Sequence, residues 1–244
     1  MTCGDSTTAV RPSNQTGDGG SIPSSPLQVL PIKAFETEPW LLRKHYAHRM
    51  PPIEYAFGAY SASLLVGVVT FGPPPTPQIA NGIWAKEQFP LLELNRLVVE
   101  TPDKNAASSL VGRGLRMLPR PVLVISYADG GQGHIGYVYQ ATNFLYTGAV
   151  TAHDSEYIVN GKKTHPRSLA ARGITNPAQW AAENGIERVL PRPKHRYVFL
   201  CGDKRQRRAM RESLAYPLLS YPKGETARYG AGDPVTEQQG LLFQ

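Results

Sequence analysis

The sequence contains little cysteine: Cys3 and Cys201 are the only two among 244 residues. Two residues so far apart do not form the closely spaced pattern of a disulfide framework or of a zinc motif. We therefore expect two free thiols, which fits a reducing compartment such as the cytoplasm. The composition argues against a small secreted protein held together by disulfides.

Long apolar runs are also missing from the sequence. None approaches the roughly 20 residues that a membrane-spanning helix requires, and the N-terminus is polar from Thr2 to Ser25. Such an N-terminus lacks the apolar segment of a secretory signal peptide. We expect a cytoplasmic protein with no membrane partner.

Acidic residues are fewer than basic ones. The chain has 19 Asp and Glu against 26 Lys and Arg, which gives a formal net charge of +7. An excess of positive charge favours a polyanionic partner such as DNA. At the same time, 41% of the residues are hydrophobic, which is typical of a globular core and not of a disordered chain.

The excess charge is concentrated late in the chain, where seven basic residues face a single Asp between positions 194 and 211. Clustered cations of this kind neutralise DNA phosphates and give salt-dependent binding. A solvated helix face is the alternative interpretation. The predicted DNA-binding residues are Lys194, Arg196, Lys204, Arg205, Arg207, Arg208 and Arg211, and Lys162, Lys163, His165 and Arg167 extend the same surface.

Composition divides the chain into three parts. Residues 1–26 are rich in Ser, Thr, Gly, Asn and Pro, and we expect a disordered N-terminal tail. Residues 225–244 have few candidate core positions and form a C-terminal tail. Between them, residues 27–224 form one domain in which predicted strands and helices alternate, which is typical of a mixed α/β fold.

Several elements can be placed by their local patterns. Helices are expected at 37–48, with Thr37 as N-cap, at 102–119, at 134–148 with Gly148 as C-cap, and at 203–217 with a capping box of Asp203 and Gln206. A hairpin is expected around Asn160–Gly161, and an irregular loop at 73–82. Strands are expected at 28–35, 54–61, 64–72, 91–100, 121–129 and 195–202.

Four of these segments resemble the GNAT superfamily of N-acetyltransferases. They are LLELNRLVVE, the helix that starts near Asn105, PVLVISYAD and YQATNFLYTG. The resemblance implies an α/β fold with a central mixed, mostly antiparallel sheet flanked by helices. It also implies acetyl-CoA as the cofactor, held by the fourth strand and by the N-terminus of the next helix.

The resemblance places the acetyl-CoA site on three segments. The strand would present its backbone to the pantetheine arm, the loop 104–109 would bind the pyrophosphate, and the late helix would lie near the thioester. That loop reads KNAASS and departs from the Gly-rich, arginine-containing signature of the superfamily. The residues implied are Leu97, Val98, Val99, Asn105, Ala106, Ser108, Ser109, Asn143 and Tyr146.

A denser set of motifs resembles the Mom family, the DNA-modification proteins of Mu-like bacteriophages. The set comprises HYAHR, ELNRLVV, SYADGGQGHIGYVYQATNFLYTG and KHRYVFLCGDKRQRR, and the resemblance covers most of residues 28–224. It implies an enzyme that places a carbamoylmethyl group on the exocyclic N6 amine of adenine in phage DNA. The product shields that DNA from restriction endonucleases in the cytoplasm of the infected bacterial host.

Asp129 is the central candidate for catalysis, because it ends an apolar strand and precedes a glycine-rich loop. Its carboxylate would accept a proton from the adenine amine, which is a weak nucleophile. Helix capping is the alternative role. Tyr139 and Tyr46 would surround the base, although a core position is the other reading for Tyr139. Ser126 and Tyr127 alternate along the strand, so we expect only one of the two to face the site.

Arg96 interrupts an otherwise apolar strand, where a buried charge needs a partner. It would either support the substrate electrostatically or pair with Glu93, Glu100 or Asp129. His45 and His48 are three residues apart and, with Asp129, would complete a two-histidine, one-carboxylate iron site. The resemblance suggests iron because a carbamoylmethyl product is not that of simple acyl transfer.

Two other functions remain open from the sequence. An ordinary acetyltransferase acting on a protein or a small amine would share the fold but would not need the basic segment. A non-catalytic DNA-binding protein on a degenerate GNAT scaffold would explain the unusual phosphate loop. The sequence does not define the oligomeric state, and a homodimer stays one option.

Overall fold

The computed structural model describes residues 27–151, 155–190 and 192–224. The two predicted tails, residues 1–26 and 225–244, lie outside these ranges. The strands are β1 Gln28–Pro31, β2 Tyr55–Ser61, β3 Leu64–Gly72, β4 Leu91–Val99, β5 Val122–Asp129, β6 Leu145–Val150, β7 Glu156–Val159, β8 Lys162–Thr164, β9 Arg188–Val189 and β10 Lys194–Cys201. The α-helices are α1 Glu38–Arg43, α2 Pro77–Gly82, α3 Ala106–Met117, α4 Tyr137–Ala141, α5 Pro166–Ala170, α6 Pro177–Glu183 and α7 Lys204–Ser213.

Seven strands form the central sheet in the order β1-β2-β3-β4-β5-β10-β6. Neighbouring strands are antiparallel except β4 and β5, which run parallel. The predicted fold class, a mixed and mostly antiparallel sheet flanked by helices, is confirmed. Within the described ranges, no helix has the length and apolar character needed to cross a bilayer.

Helices cover both faces of this sheet because β5 is apolar on both sides. Val124 belongs to the core on the α3 side, together with Leu110 of α3. Ile125, the next residue, belongs to the core on the α7 side, together with Met210 of α7. Alternate side chains of a strand point to opposite faces, so the continuous apolar run predicts this two-sided burial.

The helix expected over 134–148 is wrong in its second half. Only α4 is helical, and the chain then enters the edge strand β6. Asn143 interrupts the helix with a φ of 61°, a left-handed conformation that Asn tolerates better than most residues. Gly148 lies inside β6 and not at a helix end. Leu145 and Tyr146 match helical spacing in sequence, but they are strand residues.

Three further expectations need correction. The first helix ends at Arg43 and does not reach His48, whose φ is 43°. Thr37 is its N-cap, but the hydroxyl donates back to Ala34 O instead of capping, because a 3-10 helix precedes it. The segment expected as an irregular loop contains α2, which has a proline in its first turn.

A second, three-stranded sheet in the order β8-β7-β9 was not predicted beyond its hairpin. Its small core contains Tyr157, Leu169 and Ala181. The hairpin itself is confirmed, since Asn160 and Gly161 have φ values of 52° and 73°, as a type I′ turn requires. The capping box of α7 is also confirmed: Asp203 accepts from the Gln206 N–H at 2.7 Å, and Gln206 accepts from the Asp203 N–H at 2.9 Å.

Candidate active site

The candidate site is a cleft of about 1510 Å³ that opens where β4 and β5 separate. These parallel strands pair only over Leu91–Glu93 and Leu123–Ile125. Beyond that point the register of β4 against β3 shifts around Asn95, and such an irregularity bends a strand. The second halves of β4 and β5 therefore form the two walls of the cleft.

Asp129 lies at the end of β5 and lines this cleft. Its Oδ1 accepts a hydrogen bond from Gly131 N at 2.8 Å, and its Oδ2 is 3.6 Å from the ammonium nitrogen of Lys194. Asp129 thus caps the 3-10 turn Gly130–Gln132 and not a helix near Gly133. The capping role and a position facing the cleft coexist, because the two carboxylate oxygens have different partners.

An aromatic wall faces Asp129 across the cleft. The rings of His45 and Tyr46 stack with centroids 4.4 Å apart, and Tyr139 of α4 lies further in. Loss of hydration, with the charge of Asp129 as the next cause, raises the pKa of Tyr46 to about 12, although 48% of this residue is exposed. Burial raises the pKa of Tyr139 to about 12 as well, so both phenols are neutral hydrogen-bond donors near neutral pH.

The side chains of Ser126 and Tyr127 point to opposite faces of β5, as expected from strand alternation. Tyr127 lines the cleft, whereas Ser126 is buried and its hydroxyl donates to Leu94 O of β4 at 2.9 Å. The Ser126 side chain also hydrogen-bonds to Tyr139, which lowers the phenol pKa against the larger effect of burial. Ser126 therefore links β5 to β4 through its hydroxyl and also contacts the phenol of Tyr139.

Arg96 lies on β4 in the cleft wall, where its Nη1 donates to Asn95 O at 2.6 Å. Two of the three carboxylates considered as its partners are paired with other residues: Glu100 with Lys44, and Asp129 with Lys194. The charge of Arg96 lowers the pKa of His45, after the larger effect of burial. Arg96 is thus the cation nearest to the aromatic wall on the β4 side.

The predicted iron site has no support in the structure. His45 Nδ1 accepts from Ala47 N at 3.0 Å, which leaves the proton of the neutral ring on Nε2. His48 directs its Nδ1 at Leu42 O, 2.9 Å away. In the described part of the chain, no group of three or more His, Cys, Asp or Glu residues is arranged to hold a metal ion. The residues present do not fit iron.

The buried His45 predicts a decrease in stability at low pH. Burial lowers its pKa from 6.5 to about 3, so between these values the unfolded chain binds a proton that the folded chain excludes. The contribution of His45 to the free energy of unfolding is therefore fully present above pH 6.5 and decreases as the pH falls toward 3. We expect His45→Gln, which keeps a hydrogen-bond acceptor, to reduce this dependence by on the order of 1 kcal/mol per pH unit. Urea unfolding across this pH range measures it, and identical slopes for wild type and variant would contradict the assignment.

The residues implied for acetyl-CoA lie in three places. Leu97, Val99, Asn105 and Ser108 line the cleft. Ser109 and Asn143 line a second, smaller cavity between α3 and α4. The remaining three are packed elsewhere: Val98 and Ala106 are buried, and Tyr146 O–H lies 3.0 Å from His195 Nδ1.

The N-terminus of α3 faces the cleft with features that suit an anion. Helix N–H groups in the first turn have no partner within the helix, and the Asn105 side chain does not cap them. The first turn carries no acidic residue, and Lys104 lines the cleft beside it. Asp103 accepts from two N–H groups at this end, with its Oδ1 2.9 Å from Asn105 N and its carbonyl oxygen 3.2 Å from Ala106 N. The predicted phosphate loop therefore relies on the later N–H groups of the first turn and on Lys104, without the Gly-rich signature.

The predicted DNA-binding residues separate into two groups. Lys204, Arg205, Arg207, Arg208 and Arg211 are exposed on α7. The other two have partners on the sheet. Lys194 pairs with Asp129 in the cleft, whereas Arg196 donates to Thr147 Oγ1 at 2.9 Å and stacks on Tyr216 at 3.3 Å from the ring centroid. Arg196 thus serves to hold β10 and its neighbours together.

Glu93 and His134 also line the cleft. From the sequence, Glu93 was considered only as a possible partner of Arg96, and His134 was not considered. The charge of Glu93 contributes to the raised pKa values of Tyr46, Tyr127 and Tyr139. Glu93 is a charged residue in an otherwise apolar strand, as Arg96 is. This pattern alone would have been enough to select Glu93 as a candidate site residue. His134 had no such signal, because it comes to the cleft only through the tight turn after Asp129.

Comparisons with known proteins identify the family of this chain. Residues 26–223 match the sequence model of the Mom protein family. The chain is 28% identical over 211 residues to a protein of Escherichia phage Mu named methylcarbamoylase mom, covering 82% of this chain and 85% of the phage protein.

Similar solved structures include two acetyltransferases. An N-acetyltransferase from Staphylococcus aureus Mu50 is 13% identical with a TM-score of 0.43, covering 72% of this chain and 99% of its own. A Bacillus subtilis acetyltransferase in complex with CoA is 11% identical with a TM-score of 0.38, covering 71% and 98%. The fold class is assigned from the strand order of the central sheet, and the family is assigned from the sequence match.

Proposed function

Because the chain belongs to the Mom protein family, we propose that it is a phage DNA-modification enzyme that converts adenine in DNA to N6-(carbamoylmethyl)adenine. The name of the phage Mu relative, methylcarbamoylase, supports a transferase that delivers this group. Modified adenines would protect phage DNA from restriction endonucleases of the host. The observation that carries the proposal is the placement of Asp129 opposite the His45–Tyr46 stack, in one cleft.

The cleft offers the groups that a flipped-out adenine requires. Adenine inside a duplex cannot reach an enzyme carboxylate, so it must leave the base stack and enter a pocket. Tyr46 and Tyr139 provide aromatic surfaces for the base, and their neutral phenols donate hydrogen bonds. Asp129 would then accept the proton that the N6 amine loses when its new bond forms.

Lys194 and Arg96 would balance the charges in this step. Lys194 lies 3.6 Å from the Asp129 carboxylate and offers it a positive charge in the absence of substrate. Arg96, on the opposite wall, would stabilise negative charge on the transferred group. Both roles are electrostatic, and neither cation needs to donate a proton.

Acetyl-CoA is the donor that the architecture suits best. The separated half of β4 leaves backbone groups without a β5 partner, and the first turn of α3 leaves N–H donors for a pyrophosphate. Bound acetyl-CoA would supply the two-carbon unit of the product. The amide nitrogen of a carbamoylmethyl group is not present in acetyl-CoA, so the proposal includes a nitrogen-containing co-substrate that displaces CoA as its thiol. A bond from N6 to the methyl carbon also replaces a C–H bond and removes two electrons, so the proposal includes a two-electron oxidant as a further co-substrate.

The test of this function is the mass of the adenine nucleosides. We expect DNA from cells that express the protein to contain deoxyadenosine with an added carbamoylmethyl group, and DNA from cells with an empty vector to lack it. Digestion to nucleosides followed by mass spectrometry measures this. Unmodified adenine would reject the proposal, and an acetylated amine on another molecule would identify an ordinary acetyltransferase instead.

A further inference from the structure

Four exposed cations stand at the mouth of the cleft on the side of the small sheet. They are Lys162 and Lys163 of β8, Arg172 after α5, and Arg192 before β10, and all four line the same cleft as Asp129. We call them the cleft-side patch. Within the described ranges, none of the four forms an ion pair with a carboxylate. Their charge is therefore available to an anionic partner.

Two of the four residues in the patch project from a packed strand. Lys162 and Lys163 follow directly after the tight Asn160–Gly161 turn, and the strand they pair with contributes Tyr157 to the small core. Side chains that project from a packed element lose less conformational freedom on binding than those on a loose loop. This favours a binding surface over a freely solvated set of charges.

The patch is also directly connected to the catalytic carboxylate. Arg192 packs against the turn after Asp129, since its Cβ is 3.8 Å from the position that a Cβ on Gly130 would occupy. Two residues later, Lys194 is the strand partner of Asp129 and pairs with its carboxylate. Any anion held by Arg192 therefore lies next to the site where the amine would react.

The basic helix α7 is placed differently. It begins after Cys201, which pairs with Val122 at the end of β5 opposite to Asp129. None of its five basic side chains is among the described residues that line the cleft, and Arg208 is paired with Glu212 at 2.8 Å. The helix carries more charge in sequence, but it does not border the site.

We propose that the cleft-side patch, and not α7, binds the phosphates of the DNA strand whose adenine enters the cleft. This inference rests on the proposed function. A base that reaches Asp129 brings its own phosphates to the mouth of the cleft, because base and phosphate belong to one nucleotide. The cations that neutralise these phosphates must stand at that mouth, where the patch is.

Two variants with the same change in charge test the inference. The patch variant carries Lys162→Ala, Lys163→Ala, Arg172→Ala and Arg192→Ala, and the helix variant carries Lys204→Ala, Arg205→Ala, Arg208→Ala and Arg211→Ala. Fluorescence anisotropy with a labelled DNA, at several salt concentrations, gives affinity and salt dependence. We expect the patch variant to lose at least about tenfold in affinity and the slope of log K against log salt to decrease by roughly 3, which corresponds to four phosphate contacts. The helix variant should keep nearly the wild-type slope.

The outcomes separate this inference from the proposed function. Equal losses in both variants, or a larger loss in the helix variant, would overturn the patch as the strand-binding surface. If the patch variant binds normally while wild type still modifies adenine, the inference fails and the function stands. If wild type leaves adenine unmodified yet shows patch-dependent binding, the function fails and the surface stands.

Single substitutions guard against misfolding of the patch variant. Circular dichroism and thermal unfolding check the fold of both variants. Should the patch variant unfold, Lys163→Ala and Arg192→Ala alone are each expected to lower the salt slope by about 1. An unchanged slope in both single variants would overturn the inference.

Discussion

Replacement of Asp129 by asparagine is expected to reduce adenine modification by about 100-fold or more, while the protein remains folded. A positioned general base contributes about 10²–10⁴ to a rate, and asparagine cannot accept the proton of the N6 amine. The amide oxygen can still accept the hydrogen bond that Gly131 N now donates to Oδ1 at 2.8 Å. The substitution therefore removes the charge and keeps the cap.

The matched control is Asp203→Asn. Asp203 caps α7 by accepting from Gln206 N at 2.7 Å, in the same way that Asp129 caps its turn, but it lies at the other end of β10. We expect this variant to modify adenine as wild type does. Nucleoside mass spectrometry and thermal unfolding are measured for both variants. Equal activity in the two would show that Asp129 is only a cap.

Substitution of Gly136 by alanine is expected to destabilise the fold by about 2–5 kcal/mol, the sum of overpacking and of left-handed backbone strain. A Cβ at this position would lie 2.4 Å from the ring of Tyr197, and the φ of Gly136 is 85°. Tyr197 cannot move away, because it is fully buried and its hydroxyl is bonded to Ile135 O and Gln140. Gly136 also begins α4, so the same change would displace Tyr139.

Gly161→Ala separates the two contributions to this loss. Gly161 has a φ of 73°, but nothing lies within 4 Å of the position of its Cβ. It should cost only the backbone strain, about 1–2 kcal/mol. Urea unfolding of the two variants gives the difference. Similar losses would refute the close contact with Tyr197, whereas failure of Gly136→Ala to fold beside a folded Gly161→Ala would support it.

Local signals in the sequence were sufficient for most of the fold. The apolar run of β5 predicted a strand buried on both faces, and Asn160–Gly161 predicted the hairpin. The helix over 134–148 was extended too far because Leu145 and Tyr146 continue the helical spacing. Only the left-handed Asn143 and the long-range pairing of β6 with β10 decide against it, and neither is a local property.

The candidate site shows a similar division. Asp129 was selected from the sequence because it ends a strand before glycines, and Tyr46 and Tyr139 were selected from the resemblance; all three line the cleft. Lys162 and Lys163 of the cleft-side patch were assigned to the same surface as α7, and Arg172 and Arg192 were not selected, since the sequence shows charge but not the face of the sheet that carries it. The predicted iron site lacks support because backbone groups hydrogen-bond to the rings of His45 and His48. The spacing of the two residues in the sequence does not reveal these backbone partners.

The pairing of Asp129 with Lys194 has a consequence for which nucleotide is modified. Arg192 and Lys194 are two positions apart in the sequence, a span of roughly 7 Å in extended chain. If Arg192 binds a phosphate, as proposed above, this segment sets the distance between that phosphate and the Asp129 carboxylate, which Lys194 contacts. A base that is still stacked, or one that belongs to the next nucleotide, would hold its N6 amine too far from the Asp129 carboxylate. Under the proposed function, the adenine would thus be selected by its distance from a phosphate bound at Arg192.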